Sequence, residues 1–314
     1  MLSGERILVT GGSGLVGREL ARVLARDNEV WCVARYAAPQ DRVGAINAWS
    51  IGRQEIEALG VKTYAADLTT GGFDGLPANV SYVLHLAHTR LGPEAVYDAV
   101  RANTLTTAHV LNHCRSAKAA MVMSSTAVYS FPKANTDALD ERADLGRAGP
   151  PFMNPTSPAS KVSVEAVARA CASMFGLPTV ITRLNVPYGP GGGMPVRDMD
   201  AIMAGEPLGH GGVGDDYPHS PIHFEDMNDQ LEALLDAASA EALIVNWCGD
   251  EVVSQLQWVE QAEALTGRKA IYDIKPGAPG NISDPAKRRS ITGPCRRSFK
   301  EGFAEVYRVK YGDV

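Results

Sequence analysis

The sequence predicts an α/β chain: a doubly wound parallel sheet with a smaller lobe towards the C-terminus. Three observations predict it. Short apolar runs alternate with helix-period segments through the first 184 residues, the pattern of βαβ units whose crossover helices cover a parallel sheet. A glycine-rich turn, Thr10 to Gly17, joins the first such run to the first helical segment. From about residue 185 the texture changes, with Gly189-Pro190-Gly191-Gly192-Gly193 and later Gly209 to Pro221 crowding turn formers together.

Taken in order, the apolar runs place strands near 5–10, 29–34, 61–66, 80–87, 119–125 and 178–184. Helices are expected at 14–27, 94–116 and 159–176, the second carrying Val96, Val100, Leu105, Ala108 and Leu111 at helical spacings. The stretch 36–52 reads as loop or short helix. Ile222 to Ala238 reads as a strand end followed by a helix. The expected division is a nucleotide-binding domain over 1–184, with segments around 210–245 returning to it, and a smaller lobe formed mainly by 185–314.

Composition narrows the function classes. Hydrophobic residues at 45% and charged residues at 21% suit a globular protein. No apolar run approaches the roughly 20 residues of a membrane span, so no membrane partner is expected. A formal charge of −6 argues against nucleic acid, whose binding rests on basic clusters. The first strand starts within a few residues of Met1, which points to a cytoplasmic protein. Cys32, Cys114, Cys171, Cys248 and Cys295 are far apart and in no ligand spacing, which predicts reduced thiols and no metal site.

The glycine turn is the first candidate site. Gly11, Ser13, Gly14, Leu15, Val16 and Gly17 follow a strand and open a helix, the context in which glycines let the backbone approach a dinucleotide pyrophosphate at a helix N-terminus. This defines a Rossmann-type sheet. A strand-end carboxylate would bind the ribose hydroxyls of NAD, but Arg35 stands after the second strand. A guanidinium there pairs with a 2′-phosphate, so NADP(H) is expected over NAD(H), with NAD(H) possible.

Further segments fall into the order of one family: Asp67-Leu68, His85-Leu86-Ala87-His88, Asn103, Ser124-Ser125-Thr126-Ala127-Val128-Tyr129, Lys161, Arg183 with Tyr188-Gly189-Pro190-Gly191, and Ile222-His223-Phe224-Glu225-Asp226. Together they resemble an extended short-chain dehydrogenase/reductase of the NAD-dependent epimerase/dehydratase family, over about 5–309. The resemblance implies adenine contacts at Asp67 and Leu68, cofactor contacts along Leu86, Ala87 and His88, substrate polarisation by Ser125, and a lysine, Lys161, on the nicotinamide ribose. Asn103 is either a structural polar group or part of a cofactor-side proton relay. His223 belongs to a structural signature, and Tyr129 and Tyr188 match structural residues. A small-molecule substrate follows, with a monomer or a homodimer through the helices at 94–116 and 159–176.

Two departures refine the expectation. The family's Tyr-x-x-x-Lys pair reads Ser157-Pro158-Ala159-Ser160-Lys161 here. A serine hydroxyl is a far weaker acid than a phenol, so protonation would come from the substrate, from water or from His88. Secondly, His219 stands where nucleotide-sugar enzymes of the family place a diphosphate-binding arginine, with Asp215 and Asp216 nearby. Those features, with Phe131, Phe152, Met153, Met194, Met199 and Met203 as candidate pocket residues, direct the expectation to an NADPH-dependent ketoreductase. Its substrate would be a polycyclic aromatic polyketide, as for tyrosine-lacking angucyclinone ketoreductases of antibiotic biosynthesis. The alternatives are a nucleotide-sugar epimerase or reductase, and a non-catalytic NADP-binding regulator.

Overall fold

The computed structural model describes residues 2–36, 50–130, 136–146, 156–208, 218–272 and 280–312. Two compact units divide the chain. The first comprises Met1–Tyr129, Leu145–Arg183 and Asn228–Val245; the second comprises Ser130–Asp144, Leu184–Met227 and Asn246–Val314.

The central sheet has seven strands: β1 Arg6–Thr10, β2 Glu29–Ala34, β3 Lys62–Ala65, β4 Tyr82–His85, β5 Ala119–Ser125, β6 Thr179–Leu184 and β7 Leu243–Trp247. Their order is β7-β6-β5-β4-β1-β2-β3. The pairings of β1 with β2 and β4, of β2 with β3 and of β4 with β5 are all parallel. The chain therefore runs outward from β1 to one edge, returns, and builds the other half, which leaves a crevice at the strand ends beside β1 and β4. The expected α/β class holds, and the six expected strands lie within two residues of their predicted limits. β7 was not anticipated: Leu243–Trp247 follows the helix Phe224–Asp236 after a short turn and lacks a distinctive alternation.

The helices covering this sheet obey the same logic. α1, Leu15–Leu24, turns Leu20, Ala21, Val23 and Leu24 inward. It ends where Asn28 takes over the carbonyl of Leu24 with its amide at 2.9 Å. α2, Arg53–Glu57, is a single short helix; most of the ambiguous stretch before it, residues 37–49, lies outside the described residues. α3, Val96–His113, and α4, Ser157–Phe175, pack on the sheet, and Gly176 in left-handed backbone (φ 62°) stops α4. Val110 and Leu111 of α3, Val164, Ala168 and Ala172 of α4, and Val83, Val122 and Ile181 of the strands share one buried cluster. Each buried Val, Leu or Ile among them contributes about 1.5–3 kcal/mol by leaving water.

The second unit has its own core. α5, Met194–Ala204, α7, Gln255–Thr266, and α9, Phe299–Tyr311, enclose Met199, Ile202, Trp258, Phe299 and Phe303. α6, Phe224–Asp236, and α8, Ala286–Thr292, complete the helices described. Asp198 is buried there and accepts from Trp258 Nε1 at 2.8 Å and Gln255 Nε2 at 3.0 Å; burial pushes its carboxyl up to about 6. Residues 130–144 group with this unit because Ala138–Leu139 pair in parallel with Ile282–Ser283, and Glu141 accepts the Asn246 N–H at 2.8 Å. Local sequence carries no sign of such distant pairing.

Candidate active site

At the glycine turn each residue has its own reason. Gly11 has φ +71°, and a Cβ there would lie 2.9 Å from the Ala87 nitrogen, so the turn at β1 and the end of β4 touch through bare backbone. At Gly17 a Cβ would meet the Gly11 carbonyl at 2.4 Å, which locks α1 against the turn. Gly12, which the spacing did not single out, faces Cys32, whose sulfur would lie 2.4 Å from an added Cβ. Gly14 is the N-cap of α1 and supplies no side-chain cap, and the first turn of α1 holds no acidic residue. The N–H groups of Leu15, Val16 and Gly17 thus open on an end that favours an anion. These features fit a dinucleotide pyrophosphate, the group that the turn from Gly11 through Ser13 to Gly17 would hold.

Arg35 follows β2 and is exposed. Its charge reaches Asp67, an exposed residue after β3. The Asp67 carboxylate accepts from Thr69 Oγ1 at 2.7 Å and from its N–H at 2.9 Å, and these bonds hold it below the usual range, with Arg35 adding to the effect. Leu68 instead turns into the core. The two residues expected at the adenine thus differ: one is at the surface, and the other's side chain is committed to packing.

Beside Gly11 the end of β4 is organised by a buried relay. Thr10 stands opposite His85 in the β1–β4 register. Thr10 Oγ1 lies 2.8 Å from His85 Nδ1 and accepts the Ala87 N–H at 3.2 Å; His85 Nε2 lies 3.1 Å from Thr107 Oγ1, which donates to the Asn103 carbonyl at 2.8 Å. The directions assign the ring proton to Nε2. Burial, helped by the Lys161 charge, pushes His85 down to about 3, so it stays neutral. The relay fixes Leu86 and Ala87, both half-buried, against the turn.

Asn103 holds the next stretch. Its Oδ1 accepts the Thr89 N–H at 2.8 Å, and its Nδ2 donates to the carbonyls of Thr89 at 2.9 Å and Ala99 at 2.8 Å. That clamp positions His88. The His88 Nε2 lies 3.1 Å from Ser157 Oγ, whereas Nδ1 is shut from solvent and has no well-aligned hydrogen-bond partner among the described residues. Burial first, then the charges of Lys161 and Arg90, hold His88 well below its ordinary value, with Asn103 opposing.

Ser157 and Lys161 occupy successive turns at the start of α4, both buried. Lys161 Nζ donates to the Met123 carbonyl at 2.6 Å. Burial, then the Arg90 charge, push its ammonium down to about 7, with Glu165 opposing. Glu165, one further turn on, anchors the helix to the sheet. It pairs with Arg183 of β6 through two bonds of 2.8 and 2.9 Å and accepts from Ser124 Oγ at 2.5 Å. The Arg183 guanidinium also lies 4.8 Å from the Tyr129 ring centroid. Sequence reasoning missed Glu165, although Ser157, Lys161 and Glu165 form a stripe at spacings of four. Ser125 ends β5; its Oγ accepts the Ala127 N–H at 3.1 Å, which leaves the hydroxyl proton available to a ligand oxygen.

In the second unit, Tyr188 is buried against His223 and Phe299, with ring centroids 5.1 and 5.0 Å away, and burial raises its phenol. His223 is pushed down to about 4, first by burial and then by Arg297, with Glu305 opposing. His219 is buried with its ring stacked on Trp258 at 6.0 Å. Among the described residues no group of three or more His, Cys, Asp or Glu could hold a metal ion, and no helix is long and apolar enough to cross a membrane.

A parallel α/β sheet, an open helix end after a glycine turn, and a buried lysine beside the strand ends define a dinucleotide-dependent oxidoreductase architecture. The chain belongs to the NAD dependent epimerase/dehydratase family, whose model matches residues 7–206, and is an NAD(P)-dependent enzyme. It is 25% identical, over 98% of each chain, to a probable UDP-glucuronate 4-epimerase of Rhizobium meliloti (strain 1021). It is 27% identical to a 3-diazoavenalumate denitrifying reductase of Streptomyces sp., over 81% of this chain and 79% of that one. Among solved structures, the UDP-glucuronic acid 4-epimerase of Bacillus cereus, in complex with UDP-glucuronic acid and NAD, superposes with a TM-score of 0.80 at 20% identity, covering 97% of this chain and 99% of that one. The Bordetella bronchiseptica enzyme WbmG, in complex with NAD and UDP, gives 0.77 at 20%, covering 99% and 96%.

These relatives overturn the expectation of a ketoreductase for a polycyclic aromatic polyketide, since UDP-sugar 4-epimerases recur among them. The apolar residues behind that expectation have another use. Met199 is fully buried in the second unit's core, and Met194 packs against it. Met203 is half-buried in the last turn of α5, and Phe131, Phe152, Met153, Asp215 and Asp216 lie outside the described residues. The expected preference for NADP(H) is not carried by these relatives either, since the solved neighbours hold NAD.

Proposed function

We propose that the chain acts on a nucleoside-diphosphate sugar as a 4-epimerase does, oxidising a ring alcohol and reducing the ketone again from the other face. The observation that supports this is the likeness to the probable UDP-glucuronate 4-epimerase along 98% of both chains. When bound, the nicotinamide supplies the hydride acceptor and donor. Lys161 would orient it through its ribose, the Gly11 to Gly17 turn would bind the pyrophosphate, and Ser125 would hydrogen-bond the reacting oxygen. Arg35 would lie at the adenosine ribose; Arg35→Asp should lower the ratio of NADP to NAD affinity at least tenfold if it meets a 2′-phosphate, and an unchanged ratio removes that assignment. The test of the function is incubation of the purified protein and NAD with UDP-glucuronate or UDP-glucose, following the C4 epimers by NMR. Appearance of the epimer is expected; absence of any turnover with both sugars refutes the reading.

Ser157 favours a second reading. The Streptomyces relative is named for reductive loss of nitrogen. Hydride delivered to an arenediazonium ion expels N2 and leaves a C–H bond, so no oxygen has to be protonated and no phenol is required. Consumption of NAD(P)H with an arenediazonium salt, with matching N2 release, would select it.

A further inference from the structure

Serine at position 157 leaves a proton-transfer problem, and the fold offers an answer within the first unit. Removing a hydride from an alcohol carbon leaves a hydroxyl proton that must go somewhere. We propose that Ser157 and His88 act as a two-residue relay, in which Ser157 Oγ takes that proton and passes its own to His88 Nε2. The inference rests on the reading that hydride moves at an oxygen-bearing carbon.

Three observations carry it. Ser157 Oγ and His88 Nε2 are 3.1 Å apart, a hydrogen-bond distance. Both partners sit on held elements: the Asn103 clamp pins Thr89 next to His88, and the Glu165–Arg183 pair with the Lys161–Met123 bond fixes α4. The other ring nitrogen, Nδ1, is buried without a well-aligned hydrogen-bond partner among the described residues, with Asn103 the polar side chain that acts on the ring from α3, so the bond to Ser157 ties Nε2 to α4.

The step balances. The substrate O–H bond breaks and a Ser157 O–H bond forms; the former Ser157 proton bonds to Nε2, and the C=O bond forms as the C–H electron pair leaves with the hydride. The reverse sequence returns the proton to the oxygen. The relay needs the tautomer with Nδ1–H, so that Ser157 donates to Nε2. Around the ring stand Lys161 on α4, Arg90 after β4, His85 on β4 and Asn103 on α3. The Lys161 and Arg90 charges keep the imidazole neutral and therefore an acceptor, and loss of the Lys161 proton above about 7 eases formation of the imidazolium. The oxidation half-reaction should accelerate as pH rises through that point.

The experiment has two readouts on the full chain. Histidine-15N NMR should show His88 still neutral at pH values where a free histidine is protonated, with Nε2 as acceptor, and Ser157→Ala should shift that signal. With UDP-glucuronate as probe, Ser157→Ala and His88→Gln should each lower kcat about 10²–10⁴-fold, with KM and NADH affinity, read by fluorescence, little changed. The double variant should be no worse than either single one, because the two residues act in series. Ser157→Tyr should raise the rate of the His88→Gln protein by restoring a phenol beside Lys161. A His88 signal titrating near the free-histidine value, or indifferent to Ser157→Ala, overturns the relay, as does retention of kcat within about threefold in the single variants. If the wild type converts no nucleotide sugar, the functional reading fails separately, and the NMR result still decides whether the pair exists.

Discussion

Replacing Lys161 by methionine should stabilise the cofactor-free protein at about pH 6 and lose that advantage at high pH. Burial holds the ammonium down from 10.5 to about 7. At about 1.4 kcal/mol per tenfold change in proton affinity, that drop corresponds to roughly 4–5 kcal/mol of penalty for the buried charge. Below pH 7 lysine is charged in both folded and unfolded chains, so the penalty applies in full. Between about 7 and 10.5 the unfolded chain still binds the proton while the folded chain has released it, so stability rises with pH. Methionine fills similar space and does not titrate, but it forfeits the bond to the Met123 carbonyl, about 1 kcal/mol at every pH. The variant should therefore gain about 3 kcal/mol at low pH and be slightly less stable than wild type above about pH 10. Urea denaturation followed by far-UV circular dichroism at both pH values measures the difference. A stability change equal at the two pH values, within about 1 kcal/mol, would refute the account of Lys161 as a buried, penalised charge.

Glu165→Ala should destabilise the first unit by about 3–5 kcal/mol, since Arg183, 2% exposed, would lose its carboxylate partner, whereas the double variant Glu165→Leu, Arg183→Met should cost less; denaturant titration of all three separates them. Gly17→Ala should leave the protein folded but weaken NADH binding at least tenfold, read by fluorescence titration, because a Cβ 2.4 Å from the Gly11 carbonyl must displace the turn. Asn103→Ala should cost about 1–3 kcal/mol, because the N–H and carbonyl of Thr89 lose their partner. It should also lower kcat more than it raises KM, since it releases the segment carrying His88; steady-state kinetics with UDP-glucuronate reads that split.

Much of the fold was legible because its signals are local. The apolar runs that became β1 to β6 are buried in the sheet and read as runs, and the glycines of the first turn declare themselves by spacing. β7 was not legible, because a strand at the sheet's edge after a helix has no periodicity of its own. Residues 138–139 and 282–283 were equally silent, as their pairing spans more than a hundred residues of chain. At the site, Lys161, Ser125 and Asn103 could be named from motif order, but their partners could not. Glu165 gained its role only when β6 brought Arg183 beside it, and Met199 lost its candidate role once α5 packed into a core.

By itself the sequence determined the class: strand, glycine turn and helix in that order specify a nucleotide-binding α/β sheet, and Ser157 in place of a phenol is a fact of covalent chemistry that folding cannot alter. Only the tertiary structure decided what surrounds that serine. It placed His88, 69 residues earlier, at 3.1 Å, and buried Lys161 until its charge became costly. Distances and dielectric environment are properties of packing between distant segments, and no spacing along the chain encodes them.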